Sequence, residues 1–237
     1  MPKVIIFDIW GNYAHFRKPY TTTSPLTYSI PSRTVLTGII GAIMGIEKGK
    51  NNEILNYLNC NLSLKILNPI KKVLINQNLI NTKTAKMMSR MESTGGRTQI
   101  RFEKLKDVKY RIYIEIFNEE MHKELLNKLI EHSPVYTPSF GISEDLANFS
   151  FIGEINYKVN KGDIELDSVL NMENVTPQNI KFENDKEYFA DTYALEMKED
   201  REVLKYGEIL IERQGKKIFI RDIEYISIEN SENIKWI

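Results

Sequence analysis

The alternation of apolar and polar residues between positions 108 and 117 constrains the fold more than any other stretch of this sequence. The apolar positions are Val108, Tyr110, Ile112, Ile114 and Ile116. A two-residue period is the pattern of a β-strand that has one face against a core. The segment therefore predicts a half-buried strand.

The segments around this strand predict a mixed α+β domain. Residues 3–10 are rich in Ile, Val, Phe and Trp and predict a strand. Ser32 is a suitable N-cap and Gly45 a suitable terminator for a helix ending near Met44. The other predicted elements are an extended stretch over 62–75 interrupted at Pro69, an amphipathic helix over 119–132 and a strand over 149–159. The order strand, helix, strand, strand, helix, strand is that of a ferredoxin-like (βαββαβ) fold.

Beyond residue 160 the pattern changes to short strands. They are predicted over 188–195, 203–212, 217–221 and 225–228. The pair Gln214-Gly215 predicts the turn of a β-hairpin. We therefore expect a smaller β-rich module over 161–237, packed on a first domain over 1–160, with the acidic stretch 161–186 as a loop or linker.

Charge is distributed unevenly along the 237 residues. Residues 1–111 hold 18 Lys and Arg against 6 Asp and Glu, a balance of +12, whereas residues 112–237 hold 14 against 26, a balance of −12. Such an asymmetry favours one surface for a nucleic acid and another for a different partner. The alternative is that the two halves neutralise each other within one fold.

The single cysteine, Cys60, excludes a disulfide framework and a multi-cysteine zinc site. The first apolar run is interrupted by Asp8 and is too short to cross a membrane. We expect a cytoplasmic protein without a cofactor, metal ion, membrane partner or small-molecule substrate.

Aromatic and cationic residues are concentrated between residues 13 and 34. Single-stranded nucleic acids are held by the same combination, because bases stack on aromatic rings and phosphates need cations. The candidate RNA contacts in this N-terminal block are Tyr13, His15, Phe16, Arg17, Lys18, Tyr28, Ser32, Arg33 and Thr34.

The predicted helix that follows carries Gly38, Gly41 and Gly45 on one face. The two interior glycines cost about 2 kcal/mol of helix stability relative to alanine. This cost indicates that another backbone, of protein or RNA, approaches Gly38 and Gly41 closely. The alternative is packing against the C-terminal module.

A basic insertion over residues 81–106 contains seven Lys and Arg against two Asp and Glu. The pair Gly95-Gly96 predicts a turn, so the insertion is expected to project as a β-hairpin that offers cations to phosphates. The alternative is a solvated loop without fixed structure. The candidate RNA contacts here are Lys86, Arg90, Arg97, Gln99 and Arg101.

Several of these motifs resemble the CRISPR-associated Cas5 family. The opening match is Gly11-x-Tyr13-Ala14-x-Phe16-Arg17, followed by Ser24-Pro25, Tyr28, Pro31-x-Arg33-Thr34, Gly38, Gly41-Ala42 and Gly45. Later matches are Arg97-x-Gln99, Phe102-Glu103-x-Leu105, Tyr110-Arg111-Ile112 and Pro138-x-x-Gly141-Ile142-Ser143-Glu144-x-Leu146-Ala147. The opening block is similar to the type I-B branch.

The resemblance implies a RAMP-type ferredoxin-like domain whose projecting hairpin, called the thumb, corresponds to residues 81–106. It also implies a subunit of the Cascade surveillance complex in antiviral defence, which we expect to be non-catalytic. Such a subunit grips the 5′ handle of the CRISPR RNA, caps the backbone assembly, and contacts the backbone subunit and the large subunit.

Two other functions remain open at this stage. One branch of the family is a metal-independent endoribonuclease that processes precursor CRISPR RNA, for which His15 and Tyr28 are the candidate catalytic residues. A general RNA binder of the RRM kind is the other alternative. The strand over 108–117 lacks the glycine-aromatic signature of an RRM, which counts against that alternative.

Overall fold

The computed structural model describes residues 2–21, 23–82, 84–85, 89, 96–229 and 232–237. The α-helices in this part of the chain are α1 (Arg33–Met44), α2 (Asn51–Ile54) and α3 (Glu119–Ile130), with a 3-10 turn at Pro177–Asn179. The strands are β1 (Lys3–Ala14), β2 (Cys60–Ile66), β3 (Lys72–Ile80), β4 (Arg97–Ile116), β5 (Asn148–Leu166), β6 (Leu170–Asn171), β7 (Ile180–Lys181), β8 (Tyr188–Met197), β9 (Val203–Glu212), β10 (Ile218–Ile228) and β11 (Glu232–Ile234). No helix among the described residues is long and apolar enough to cross a membrane.

The strands form an eight-stranded sheet and a three-stranded sheet, giving a mostly β variant of an α+β fold. The larger sheet has the order β11-β10-β5-β1-β4-β2, with β3 paired to β4 and β7 paired to β10. The smaller sheet has the order β6-β9-β8. The predicted order strand, helix, strand, strand, helix, strand is present in β1, α1, β2, β4, α3 and β5. Their four strands are neighbours in the larger sheet.

Helix α1 begins and ends where the sequence predicts. The Ser32 side chain accepts a hydrogen bond from the Val35 amide at 3.3 Å, and Gly45 ends the helix with a left-handed φ of 82°. A residue without a Cβ adopts that conformation at little cost. The apolar stripe of α1 is buried against the larger sheet together with residues of β8 and β9. The main core therefore lies between the larger sheet on one side and the helices with the smaller sheet on the other.

The basic hairpin is longer than the predicted insertion over 81–106. Its arms are β3 and the first half of β4, paired from Lys72 opposite Leu105 to Ile80 opposite Arg97. The hairpin does not begin at residue 81 as predicted. The sequence misleads here because the apolar residues of β3 resemble a continuation of the extended stretch before Pro69. Both β2 and β3 pair with the long strand β4 instead.

The C-terminal region contributes strands to both sheets. Strands β10 and β11 extend the larger sheet beyond β5, and the two segments predicted over 217–221 and 225–228 are one strand with a bulge after Ile220. The predicted boundary at residue 160 falls inside β5. The division of the chain into two domains stays a prediction.

Gln214 and Gly215 form a turn, but the predicted hairpin is wrong. The turn connects β9 of the smaller sheet to β10 of the larger one, and these strands do not pair. Gly215 has a φ of 77°, and a Cβ there would lie 2.3 Å from the Ile66 carbonyl oxygen. The turn thus packs against the end of β2. This close packing fixes the path of the chain from the smaller sheet to the larger one.

Candidate nucleic-acid interface

A cleft of about 430 Å³ lies between the N-terminal block and the turn that joins β8 to β9. The block lines one side with Phe16, Arg17, Pro19, Tyr28, Ser32, Thr34 and Val35. The opposite side is lined by Ala194, Met197, Arg201, Val203 and Tyr206. A neighbouring cavity of about 440 Å³ shares Thr34, Val35, Met197 and Arg201 with the cleft and extends to Gly38. The two together form a groove along the exposed side of α1.

The groove is positively charged although the whole chain is neutral. Its lining includes Arg17 and Arg201 but no Asp or Glu, whereas the chain has as many acids as bases. Arg17 is exposed and donates from Nη2 to the Thr21 carbonyl at 3.0 Å. Such a surface favours a polyanion, because guanidinium groups make charge-assisted hydrogen bonds to phosphate.

Lys18 and Tyr28 are held by the smaller sheet. The Lys18 ammonium forms an ion pair with Asp191 and lies 5.0 Å from the centroid of the Tyr28 ring. The Tyr28 ring also packs on the Tyr193 ring, with 4.6 Å between the centroids and the planes tilted by 35°. Burial raises the pKa of Tyr28 further above neutral pH. These contacts leave Lys18 neutralised and the Tyr28 ring already packed against another ring, contrary to the free surface that the sequence suggested.

His15 is a core residue. Its side chain is 1% exposed, with Nδ1 at 2.8 Å from the Glu103 carbonyl oxygen and the ring against Phe102 at 5.3 Å. Burial lowers the pKa of His15. Phe16 is also buried, against Phe140. Both rings are buried within the protein in this structure, although Phe16 also lines the cleft, and their contact with RNA stays a prediction.

Arg33 is likewise buried, with 2% of its surface exposed. Its Nη2 donates to the Cys60 carbonyl at 3.0 Å, and the guanidinium lies 4.0 Å from the centroid of the Tyr57 ring. Arg33 thus makes its contacts within the protein in this structure, and its phosphate contact stays a prediction. Ser32 is buried as the N-cap of α1, whereas Thr34 is partly exposed.

The two interior glycines of α1 have different surroundings. Gly38 is exposed in the groove, and the nearest atom to a Cβ there would be Asn51 Nδ2 at 3.9 Å. Gly41 is buried, and a Cβ there would lie 3.0 Å from the Asn51 Cβ. The close approach predicted at Gly41 is thus made within the chain by α2, and not by the C-terminal module that the alternative named.

The hairpin arms present the predicted contacts Arg97, Gln99 and Arg101 on one face. They lie opposite Ile80, Asn78 and Asn76 in the β3–β4 register, and all three are exposed. Residues two apart on a strand are separated by about 7 Å, so this face carries a regular row of polar groups. Tyr13 is exposed on β1 with the Lys104 ammonium 5.9 Å from its ring. The predicted contacts Lys86 and Arg90 lie outside the described residues.

Glu103 connects the hairpin to the N-terminal block. Its Oε1 accepts from the Thr27 amide at 3.1 Å and from Lys72 Nζ at 3.0 Å, and its own amide donates to the Pro25 carbonyl at 3.0 Å. These hydrogen bonds therefore fix the hairpin face relative to the groove. Sequence reasoning named Glu103 in a family motif without giving it a role, and it missed Asp191, Arg201 and Tyr206, which come from the acidic half of the chain.

Comparison with known proteins gives the family. The model of the family described as CRISPR-associated protein (Cas_Cas5) matches residues 4–210. The chain belongs to the Cas5 family, as its opening motifs predicted. No curated protein matches its sequence.

Solved structures agree on the fold. A chain of a CRISPR RNA-guided surveillance complex is 11% identical with a TM-score of 0.52, and the match covers 91% of each chain. The crystal structure of a CRISPR protein from Archaeoglobus fulgidus is 12% identical with a TM-score of 0.57 over 98% of each chain. At such identities the likeness concerns the fold alone.

Proposed function

We propose that this protein is the non-catalytic Cas5 subunit of a type I-B Cascade surveillance complex. In that role it grips the 5′ handle of the CRISPR RNA, caps the backbone assembly, and contacts the backbone and large subunits. The observation that carries the proposal is the pair of cationic surfaces held together by Glu103, one in the groove at Arg17 and one on the hairpin face.

The fold supports the same assignment. The spatial order β5-β1-β4-β2 is the arrangement expected of a ferredoxin-like RAMP domain. A structure of similar fold belongs to a CRISPR RNA-guided surveillance complex. The hairpin that extends beyond this sheet is then the thumb.

Exposed apolar side chains on the hairpin favour a second partner beside RNA. Leu74 is 63% exposed and lies on the same face as Arg101, and Leu79 and Ile80 are also exposed near the tip. Apolar groups on a projecting ribbon are stabilised when a base or a protein surface covers them. A neighbouring protein subunit would supply that cover.

The RNA-binding role is tested by the salt dependence of binding to single-stranded RNA carrying the repeat of the host CRISPR array. Arg97→Gln and Arg101→Gln should each lower the slope of log K against log salt by about 0.7, because each removes one phosphate contact. Arg221→Gln, on the exposed part of β10, is the matched control. Unchanged slopes for both hairpin variants would remove this face from the interface.

Among the described residues that line the groove, we find no suitable general base for the ribonuclease alternative. None of the three histidines of the chain lines it, and His15 is buried against Glu103. The raised pKa of Tyr28 keeps its hydroxyl protonated and so a poor base. Repeat RNA incubated with the protein in EDTA should remain intact. A defined cut within the repeat would overturn the non-catalytic assignment.

A further inference from the structure

We infer that the turn between β8 and β9 forms the second wall of the RNA site, in which Arg201 binds a phosphate and Tyr206 stacks on a base. The inference rests on the proposed function, since it concerns the same single-stranded RNA. It adds a contact from the acidic half of the chain, which the sequence assigned to other partners.

Arg201 is available to an anion although acidic residues surround it in sequence. Nearby, Glu202 is paired with Lys198, and Asp200 Oδ1 accepts from the Glu202 amide at 2.9 Å. No ion pair joins Arg201 to a carboxylate in the described part of the chain. Arg201 is exposed, and it lines both cavities of the groove. In the described part of the chain its guanidinium thus has no carboxylate partner, and it lines two cavities whose linings contain no Asp or Glu.

The backbone of Arg201 has an uncommon conformation. Its φ is 69°, in the left-handed region that glycine and asparagine occupy more easily than a residue with a long side chain. Glycine would therefore adopt the backbone conformation of this position at least as easily as arginine. The strain is consistent with a side chain that is needed for another purpose.

Tyr206 supplies an aromatic ring that is free for stacking. It is 58% exposed, and its cross-strand neighbour is the small residue Ala194. Tyr28, by contrast, already packs against the Tyr193 ring. Bases stack on exposed aromatic rings with little sequence preference, which suits a ring in a backbone-binding groove.

The size of the cleft limits the ligand to a small part of the strand. A volume of about 430 Å³ is within the range of pockets that bind small molecules. Arg17 and Arg201 line this one cleft together with Tyr206. Two guanidinium groups and one exposed ring match the phosphate and the base of a single nucleotide, so we assign one nucleotide of the bound strand to the cleft.

The test uses the full chain and a fluorescein-labelled single-stranded RNA carrying the host repeat, with binding followed by fluorescence anisotropy. Arg201→Gln and Tyr206→Thr should each weaken binding about tenfold, as expected for a charged hydrogen bond or a stacked base. The salt slope should fall by about 0.7 for Arg201→Gln and stay unchanged for Tyr206→Thr. The matched controls are Arg221→Gln and Leu204→Thr, both exposed and outside the cleft.

Arg201→Gly separates an RNA contact from a structural role. Glycine fits the φ of 69°, so the melting temperature should be unchanged or higher while RNA binding weakens about tenfold. Wild-type affinity in Arg201→Gln and Tyr206→Thr would refute the inference and leave the proposed function standing. Failure of the wild-type protein to bind the RNA would refute the proposed function itself. Loss of co-purifying subunits without a change in RNA affinity would assign the cleft to an acidic protein segment instead.

Discussion

The hairpin and the N-terminal block both carry polar and cationic residues that the sequence offers as RNA contacts, but these side chains differ in burial. On the hairpin, Arg97, Gln99 and Arg101 all reach the surface. In the block, His15 and Arg33 are buried and Lys18 is neutralised by Asp191. A two-stranded ribbon that projects from the body has little to bury its side chains, whereas a block covered by a helix and a second sheet does. Charge in a sequence thus marks a binding surface only where the fold leaves it uncovered.

Burial changes over a short distance even within the hairpin arm. Arg101 is exposed, but Lys104 is buried in an ion pair with Asp145, with 2.6 Å between Nζ and Oδ1. A buried, paired cation such as Lys104 contributes to stability, whereas an exposed cation such as Arg101 is available for binding.

The largest expected effect is that of Lys104→Met. Removing the ammonium leaves the buried Asp145 carboxylate without its partner, which should lower the free energy of unfolding by about 3–5 kcal/mol. Lys106→Met, two residues further on and exposed, should change it by less than about 0.5 kcal/mol. Urea unfolding of the two variants measures the difference. Equal effects would show that the buried Lys104 and the exposed Lys106 contribute equally to stability.

The burial of His15 leads us to predict that the N-terminal block loses stability in mild acid. Burial lowers the pKa of His15 below the ordinary histidine value of about 6.5, so the unfolded state binds the proton more readily than the folded state. The stability contribution is therefore complete above pH 6.5 and decreases as the pH falls below it, by at most about 1.4 kcal/mol per pH unit.

The measurement is urea unfolding between pH 7.5 and 5.5 for the wild type and His15→Asn. The asparagine amide retains a donor for the Glu103 carbonyl but does not titrate. The variant should show a weaker pH dependence than the wild type. Identical profiles would mean that His15 is protonated with equal ease in both states.

The smallest effect is expected from Asp191→Asn, which tests the neutralisation of Lys18. The substitution keeps the side-chain oxygen that accepts from the Thr192 amide at 2.9 Å but removes the negative charge. Lys18 then becomes free for phosphate, and affinity for single-stranded RNA should rise about threefold, the size of a partly exposed ion pair. The salt slope should increase by about 0.7. An unchanged slope would show that Lys18 does not face RNA.

Part of the fold was predictable because its signals are local. The cap at Ser32, the terminator at Gly45 and the alternation in β4 each depend on residues a few positions apart. The extent of the hairpin was missed because its arms are at most half-buried over most of their length and show no clear apolar period. The pairing of β10 with β5 was missed for another reason, since it joins residues whose proximity only the folded sheet creates.

The sequence by itself determined the order of β1, α1, β2, β4, α3 and β5, the family, and the set of cations from which the proposed RNA site is built. Only the tertiary structure decided which of those cations are free. Lys18 meets Asp191, 173 residues away in sequence, and Arg33 meets the carbonyl of Cys60, while Arg201 stays unpaired at the groove. The physical reason is that capping and periodicity act between near neighbours along the chain, whereas desolvation and ion pairing depend on whatever the fold brings into contact.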